Sequence, residues 1–187
     1  MNVKFEGKYI DVVQHDVHLG CLVGNVDKRM RIHVGIKEFI SKSTMLKCHF
    51  RCLPVDVMYS LFKTHCMPLY SSVIWDLTHD SIEMFYTAWR KSIRSLLNLP
   101  YCTHRYLLNH ICNDAPIDCQ LHCRFLKFLS SVVHSRNTII QFCTCLSLKG
   151  SGSNVSNNIS SLTKRLKCNR MDFTKLNLYK NYNMHQY

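Results

Sequence analysis

Arg90, Lys91 and Arg94 lie close together, with Arg105 beyond them and an Arg124/Lys127 pair further on. Guanidinium and ammonium groups in such numbers suit a polyanion, because they replace the counterions around backbone phosphates. Tyr86, Tyr101 and Tyr106 interleave with these cations and have the flat rings on which bases or sugars stack. The same residues equally suit a solvated cationic face with tyrosines at the edge of a core. Periodicity alone does not separate the two.

Other chemistries find less support. The chain has 11 cysteines, with close pairs at Cys48/Cys52, Cys119/Cys123 and Cys143/Cys145, but no Cys-x-x-Cys. His49, His104, His110 and His122 lie near cysteines, yet none falls at the ligand spacing of a zinc finger. Cys119 and Cys123, one helical turn apart beside Leu121 and Phe125, read as small buried hydrophobes. Paired-carboxylate catalysis needs two acids held together, and the acids here are scattered; Asp76 and Asp80 could meet across a turn, but Asp80 suffices as a helix cap. There is no glycine-rich phosphate loop and no Gly-x-Ser-x-Gly. No metal, cofactor or catalytic residue is assigned.

The elements that must position the cations can be read from apolar spacing. Ile82, Phe85, Trp89, Ile93, Leu96 and Leu97 recur at helical period and form one stripe, with Arg90, Lys91 and Arg94 off it on a face expected to have no acid nearby. Asn98-Leu99-Pro100 stops this helix. Thr103 is positioned to cap a short second helix, Arg105 to Ile111, whose Leu107, Leu108 and Ile111 fold back on the first. Upstream, residues 3–26 predict a hairpin turning at Gln14-His15-Asp16. A helix from Val26 to Arg51 follows, with Ile32, Ile36, Phe39 or Ile40, Met45 and Leu46 inward and a basic outer side of Lys28, Arg29, Arg31, Lys37, Lys42, Lys47 and Arg51. Gly35 weakens that helix. Pro54 opens another, with Val57, Met58, Leu61, Phe62 and Cys66 inward, and Pro68 breaks it; Ser81 or Asp80 caps the next. Asn113 to Pro116 starts a helix that buries Ile117, Leu121, Phe125, Phe128 or Leu129, and Val132, with Arg124 and Lys127 pointing outward together. Thr138–Leu148 is a further apolar segment.

These readings give a mainly α protein: a helical bundle of about five to six helices, a short N-terminal β-hairpin and a flexible basic C-terminal tail. The expected division is a hairpin over 1–25, a helical domain over 26–148, and a Ser/Asn-rich linker with a disordered tail over 149–187. Within the tail, Asn158 to Leu166 has the pattern of a turn or two of helix.

Charge sharpens the functional classes. Lys and Arg number 24 against 12 Asp and Glu, a net +12, of which residues 1–100 hold +4 and 101–187 hold +8. Such a field favours nucleic acid first and anionic membrane surfaces second. Hydrophobic residues make up 47% of the chain, too many for a wholly disordered protein. No apolar run reaches the ~18 residues of a membrane span, and Met1-Asn2-Val3-Lys4 opens no signal peptide, so the expectation is an intracellular protein, cytoplasmic or nuclear, with no membrane role.

A resemblance adds to this. The stretch Phe62–Leu77, with its Pro68-Leu69-Tyr70 and Trp75, is followed by Trp89-Arg90-Lys91, Leu99-Pro100 and Thr103-His104, and then by Gly152-Ser153-Asn154-Val155-Ser156-Asn157-Asn158. In that order and spacing they resemble the thumb and following segment of non-LTR (LINE-type) retrotransposon reverse transcriptases. His18-Leu19-Gly20 is similar to the Tyr-Leu-Gly turn before that thumb, with His in place of Tyr, so the similarity spans most of residues 5–165. It implies a thumb-like bundle touching template–primer, whether RNA, DNA or hybrid, through its basic helices, for which the charge pattern offers Arg90, Lys91, Arg94, Arg105, Arg124 and Lys127. The family's adjacent polymerase aspartates have no counterpart here, and their place falls before Met1. The resemblance therefore implies a truncated or degenerate copy without fingers and palm, and no catalytic residue carries over. The alternative is an independent helical module that binds a protein through an apolar face.

Overall fold

A computed structural model describes residues 3–5, 8–10, 15–18 and 21–167 of the chain. Four short strands come first: β1 (Val3–Phe5), β2 (Lys8–Ile10), β3 (His15–His18) and β4 (Cys21–Gly24). They make two antiparallel pairs rather than one hairpin, β1 with β2 and β3 with β4. His15 and Asp16, expected in a turn, sit in β3 opposite Gly24 and Val23. Strands this short pair with the neighbour nearest in sequence, where loop closure costs least. Gln14, Leu19 and Gly20 lie outside the described residues. β4 buries Leu22 and lies against a 3-10 turn at Tyr70–Ile74, the support that so small a hairpin needs.

Seven helices follow among the described residues: α1 (Lys28–His49), α2 (Val55–His65), α3 (Ile82–Leu96), α4 (Arg105–Cys112), α5 (Ile117–Val133), α6 (Thr138–Lys149) and α7 (Asn154–Leu166). The expected stripe of α3 is buried, with Ala88 added to it. Ser81 holds the N-cap position but makes no side-chain cap bond. α1 buries Ile32, Gly35, Phe39, Ser43 and Leu46. Of the alternatives Phe39 and Ile40 it is Phe39 that this register buries, and Met45 is exposed, against expectation, because a step of about 100° per residue carries it off the stripe. Pro54 and Pro116 each stand one residue before their helices, supplying fixed φ where no N–H is needed. α2 turns Met58, Tyr59 and Phe62 inward and leaves Val57 exposed.

The centre is aromatic. Phe39 meets Phe62 and Phe85 edge-on at centroid distances of 5.7 and 5.3 Å, and Trp75 meets Phe85 at 5.4 Å. Trp75 reaches this place because α1 has no side chain at Gly35, over which the indole lies. The glycine that weakens α1 as an isolated helix is what lets the helix approach.

The expected linker is instead a short turn, and the turn or two of helix expected at Asn158–Leu166 is part of the longer α7. Gly150 is left-handed and closes α6, Gly152 has φ +73°, and the Ser153 hydroxyl accepts from Ser156 N to start α7. This is a tight helix–helix turn. α7 buries Ile159 and Leu162 in the core. Its asparagines clamp the segment around Trp75: Asn154 donates to Ile74 O at 3.0 Å and Asn158 to Trp75 O at 2.8 Å, while Asn158 Oδ1 accepts from Leu77 N at 2.8 Å. Ser and Asn disfavour helices in water because they solvate the backbone. Here that capacity is spent on a neighbouring loop. The expected disordered tail beyond Asn169 lies outside the described residues.

Asp76 completes the clamp. It is buried, and its carboxylate accepts from Lys28 Nζ at 2.8 Å, Thr78 Oγ1 at 2.6 Å, Thr78 N at 3.1 Å and Asn157 Nδ2 at 2.7 Å. It makes no pair with Asp80. Burial pushes this carboxyl up, but the bonds from Lys28, Thr78 and Asn157 outweigh it and hold the group below the usual carboxylate range. A depressed carboxyl contributes stability above its unfolded value, and that contribution is lost as pH falls through the folded value. Asp76→Asn should therefore lower the urea midpoint at pH 7. The gap from wild type should shrink below about pH 4, where Asp76 of the unfolded chain protonates while the folded one still holds its charge. A constant gap from pH 7 to 3 would assign the effect to packing rather than charge.

Candidate nucleic-acid interface

The six cations picked from sequence do not form one surface. α3 turns by about 100° per residue, so Arg90 and Lys91 face different neighbours. Arg90 packs toward α4 and the start of α5, and Lys91 packs toward α1. Arg124 and Lys127 are on α5 and line neither of these clefts; Arg124 is half-buried, and burial holds its guanidinium below its ordinary value.

Arg94 is committed to the fold. Its Nε and Nη2 donate to Thr103 O at 3.0 and 2.7 Å, tying the end of α3 to the corner that leads into α4. Asn98 makes that corner in the left-handed region, with φ 52°. Thr103 is not the cap of α4: His104 holds that position, and the Thr103 hydroxyl donates to Pro100 O at 2.7 Å. Nor does α4 bury all three expected residues. Leu108 is fully buried, but Leu107 and Ile111 are exposed, because a helix of eight residues lies on α3 along one narrow line.

Arg90 has an acid beside it after all. Its guanidinium contacts Glu83 Oε1 at 2.6 Å and Thr87 Oγ1 at 3.0 Å. Glu83 is two turns away, a spacing easily missed when only positions three and four apart are searched. The pair borders a cleft of about 370 Å³ between α3, α4 and the start of α5, to which Arg105, Tyr86 and Tyr106 also contribute. Tyr101 lies outside this cleft and is exposed.

Part of the seam between α1 and α3 is lined without an acid, although Glu83 joins Lys91 in a neighbouring groove further along it. Lys47, Lys91, Ser92, Ser95 and Thr44 line a groove of about 310 Å³ there. It continues into a second of about 260 Å³, where Lys47 and Leu96 recur beside Arg51 and Asn98. No carboxylate lines either part. Lys47 Nζ donates to Ser95 Oγ at 2.8 Å, while Lys91 and Arg51 make no ion pair among the described residues. Three cations interleaved with hydroxyls and an amide can hold consecutive phosphates, the charges setting affinity and the hydroxyls register. Lys47 and Arg51 are visible in sequence as the basic side of α1. Their partnership with Lys91 depends on how α1 packs on α3, which no local pattern encodes.

Nucleophilic chemistry is disfavoured at the thiols whose acidity shifts. Burial pushes Cys66 and Cys123 up, and burial, helped by the Asp114 carboxylate and opposed by a hydrogen bond with Tyr59, pushes Cys112 up to about 11, whereas a nucleophilic cysteine needs the opposite shift. Among the described residues no three His, Cys, Asp or Glu gather as metal ligands would, and no helix is long and apolar enough to cross a membrane. Comparison with protein-family models, with curated proteins and with solved structures gave no match.

Proposed function

We propose that this chain is a thumb-like region of a non-LTR reverse transcriptase whose role is to bind the backbone of template–primer duplexes. The resemblance around Trp89 to His104 motivates the family. The observation that carries the function is the acid-free groove of Lys47, Arg51 and Lys91 along the α1–α3 seam. A groove of this chemistry grips phosphates irrespective of sequence, and no residue set in it supports polymerisation.

The test is anisotropy of a labelled RNA–DNA hybrid titrated at several salt concentrations. Binding should weaken steeply with salt and depend little on sequence. Replacing Lys47, Arg51 and Lys91 together by glutamine should flatten the logarithmic salt dependence by roughly 2 to 3, about 0.9 for each phosphate that is no longer neutralised. Arg94 is the wrong residue to include, since its loss would disturb the corner. Absence of binding at low salt, or an unchanged slope in the triple variant, would leave the protein-binding reading, for which α6 exposes Ile139 and Phe142.

A further inference from the structure

We propose that the cleft between α3, α4 and α5 is a separate pocket for one unpaired nucleotide; this rests on the nucleic-acid reading above and adds to the duplex groove. At about 370 Å³ the cleft is near the lower end of small-ligand sites, too small for a duplex and large enough for a single base with its sugar. Its walls are aromatic, Tyr86 from α3 and Tyr106 from α4, and Trp89 forms part of its lining with an indole N–H that has no hydrogen-bond partner. Tyr106 is prepositioned: its ring stacks on His104 at 5.2 Å, and the Arg105 guanidinium lies 5.4 Å from its centre.

The polar groups are mixed in sign, unlike those of the α1–α3 groove. Arg90 and Arg105 suit a phosphate, Asn109 offers an amide that can both donate to and accept from a base edge, and Glu83 can accept from a hydroxyl or an exocyclic amine, while Asp118, the second carboxylate of the lining, lies 3.7 Å from Arg165. A ligand needing cations, a planar apolar wall and a donor–acceptor edge within one small cleft is a nucleotide. A continuous backbone would find no use for two carboxylates. Glu83 holds Arg90 at 2.6 Å, so a phosphate entering the cleft competes with Glu83 for that guanidinium.

This competition sets the sign of the decisive measurement. A blunt RNA–DNA hybrid is compared with the same hybrid carrying one unpaired 5′ nucleotide, and with one carrying an abasic residue there. The unpaired nucleotide should tighten binding about tenfold, toward the low end of what stacking of one base supplies, and the abasic residue should not. Tyr106→Ala, at a position 61% exposed and so tolerable to the fold, should abolish the ratio between overhang and blunt hybrids. Glu83→Gln should increase that ratio by freeing Arg90, whereas a purely structural Glu83–Arg90 pair would leave it unchanged.

Equal binding of blunt and overhang hybrids, or a gain that survives removal of the base, overturns the pocket while leaving the duplex groove standing. Should no hybrid bind at all, the duplex reading fails, and the pocket is judged by titrating adenosine monophosphate against the Trp89 indole N–H resonance. A saturable shift, abolished in Tyr106→Ala, sustains it; no shift ends it.

Discussion

Replacing Gly35 by alanine should destabilise the fold by about 3 kcal/mol, near the upper end of ordinary overpacking costs. The sign is opposite to what helix propensity gives, since Gly→Ala inside a helix gains ~1 kcal/mol when nothing is in the way. A Cβ on Gly35 would fall 2.2 Å from Cζ2 of Trp75 and 2.9 Å from its Cη2. The ring cannot swing aside, because Trp75 is itself fully buried and held edge-on to Phe85, with Phe39 packed behind it. Either α1 lifts off the core or the loop around Trp75 moves, and that loop is clamped by Asp76 and the asparagines of α7.

Urea denaturation of wild type, Gly35→Ala, Trp75→Phe and the double variant would measure this as a cycle. Trp75→Phe alone leaves a cavity and should cost a few kcal/mol. In the double variant the clashing atoms are gone and the new methyl fills part of that space. The double loss should therefore fall short of the summed single losses by more than ~1 kcal/mol, the range seen for residues in contact. Additive losses would mean that close approach to Trp75 is not what holds this position to glycine.

The α3 helix was legible because its information is local: Ile82, Phe85, Trp89, Ile93 and Leu96 declare one face by their spacing, and burial follows. The mainly helical class was legible for the same reason. Gly35 was readable only in part. Its cost to α1 is a property of the residue, but its use depends on an indole far along the chain that no local pattern connects to it.

The candidate site fared similarly. Arg90, Lys91, Arg94 and Arg105 were found by type, yet their roles diverged once α3 had neighbours. Arg94 turned to the carbonyl of Thr103, Arg90 to Glu83, and Lys91 to a groove whose other cations are at the end of α1 and just beyond it. Cationic residues declare what they can bind, but the packing of the helices decides which of them are left to bind it. The segment 149–166 misled most. Its composition signals solvation by Ser and Asn side chains, and the signal was right about their appetite for backbone groups but silent on whose backbone would satisfy it.

That segment carries the second large effect. Asn158→Ala should cost about 2 to 4 kcal/mol, because it strands the Leu77 N–H and the Trp75 carbonyl together, each at roughly 1 to 3 kcal/mol when buried without a partner. Asn158 is 1% exposed, so water cannot replace either bond without opening the core. Asn158→Asp should be at least as damaging near neutral pH. It keeps an acceptor for Leu77 N but sets an oxygen against Trp75 O and buries a second carboxylate near Asp76, which already occupies Lys28 and Asn157. Asn154→Ala, at a half-buried position with one bond to Ile74 O, should cost only about 1 kcal/mol. A chain ending at residue 148 should lose cooperative unfolding, since it removes Ile159 and Leu162 from the core and all three asparagines from the clamp. If 149–166 were a linker, the truncated chain and both alanine variants would unfold at the wild-type urea concentration. The graded order, Asn158 above Asn154, is what a clamp on the Trp75 loop requires, and through Trp75 it connects to Gly35: loosening the clamp should relieve part of the Gly35→Ala clash, so the two losses should not add.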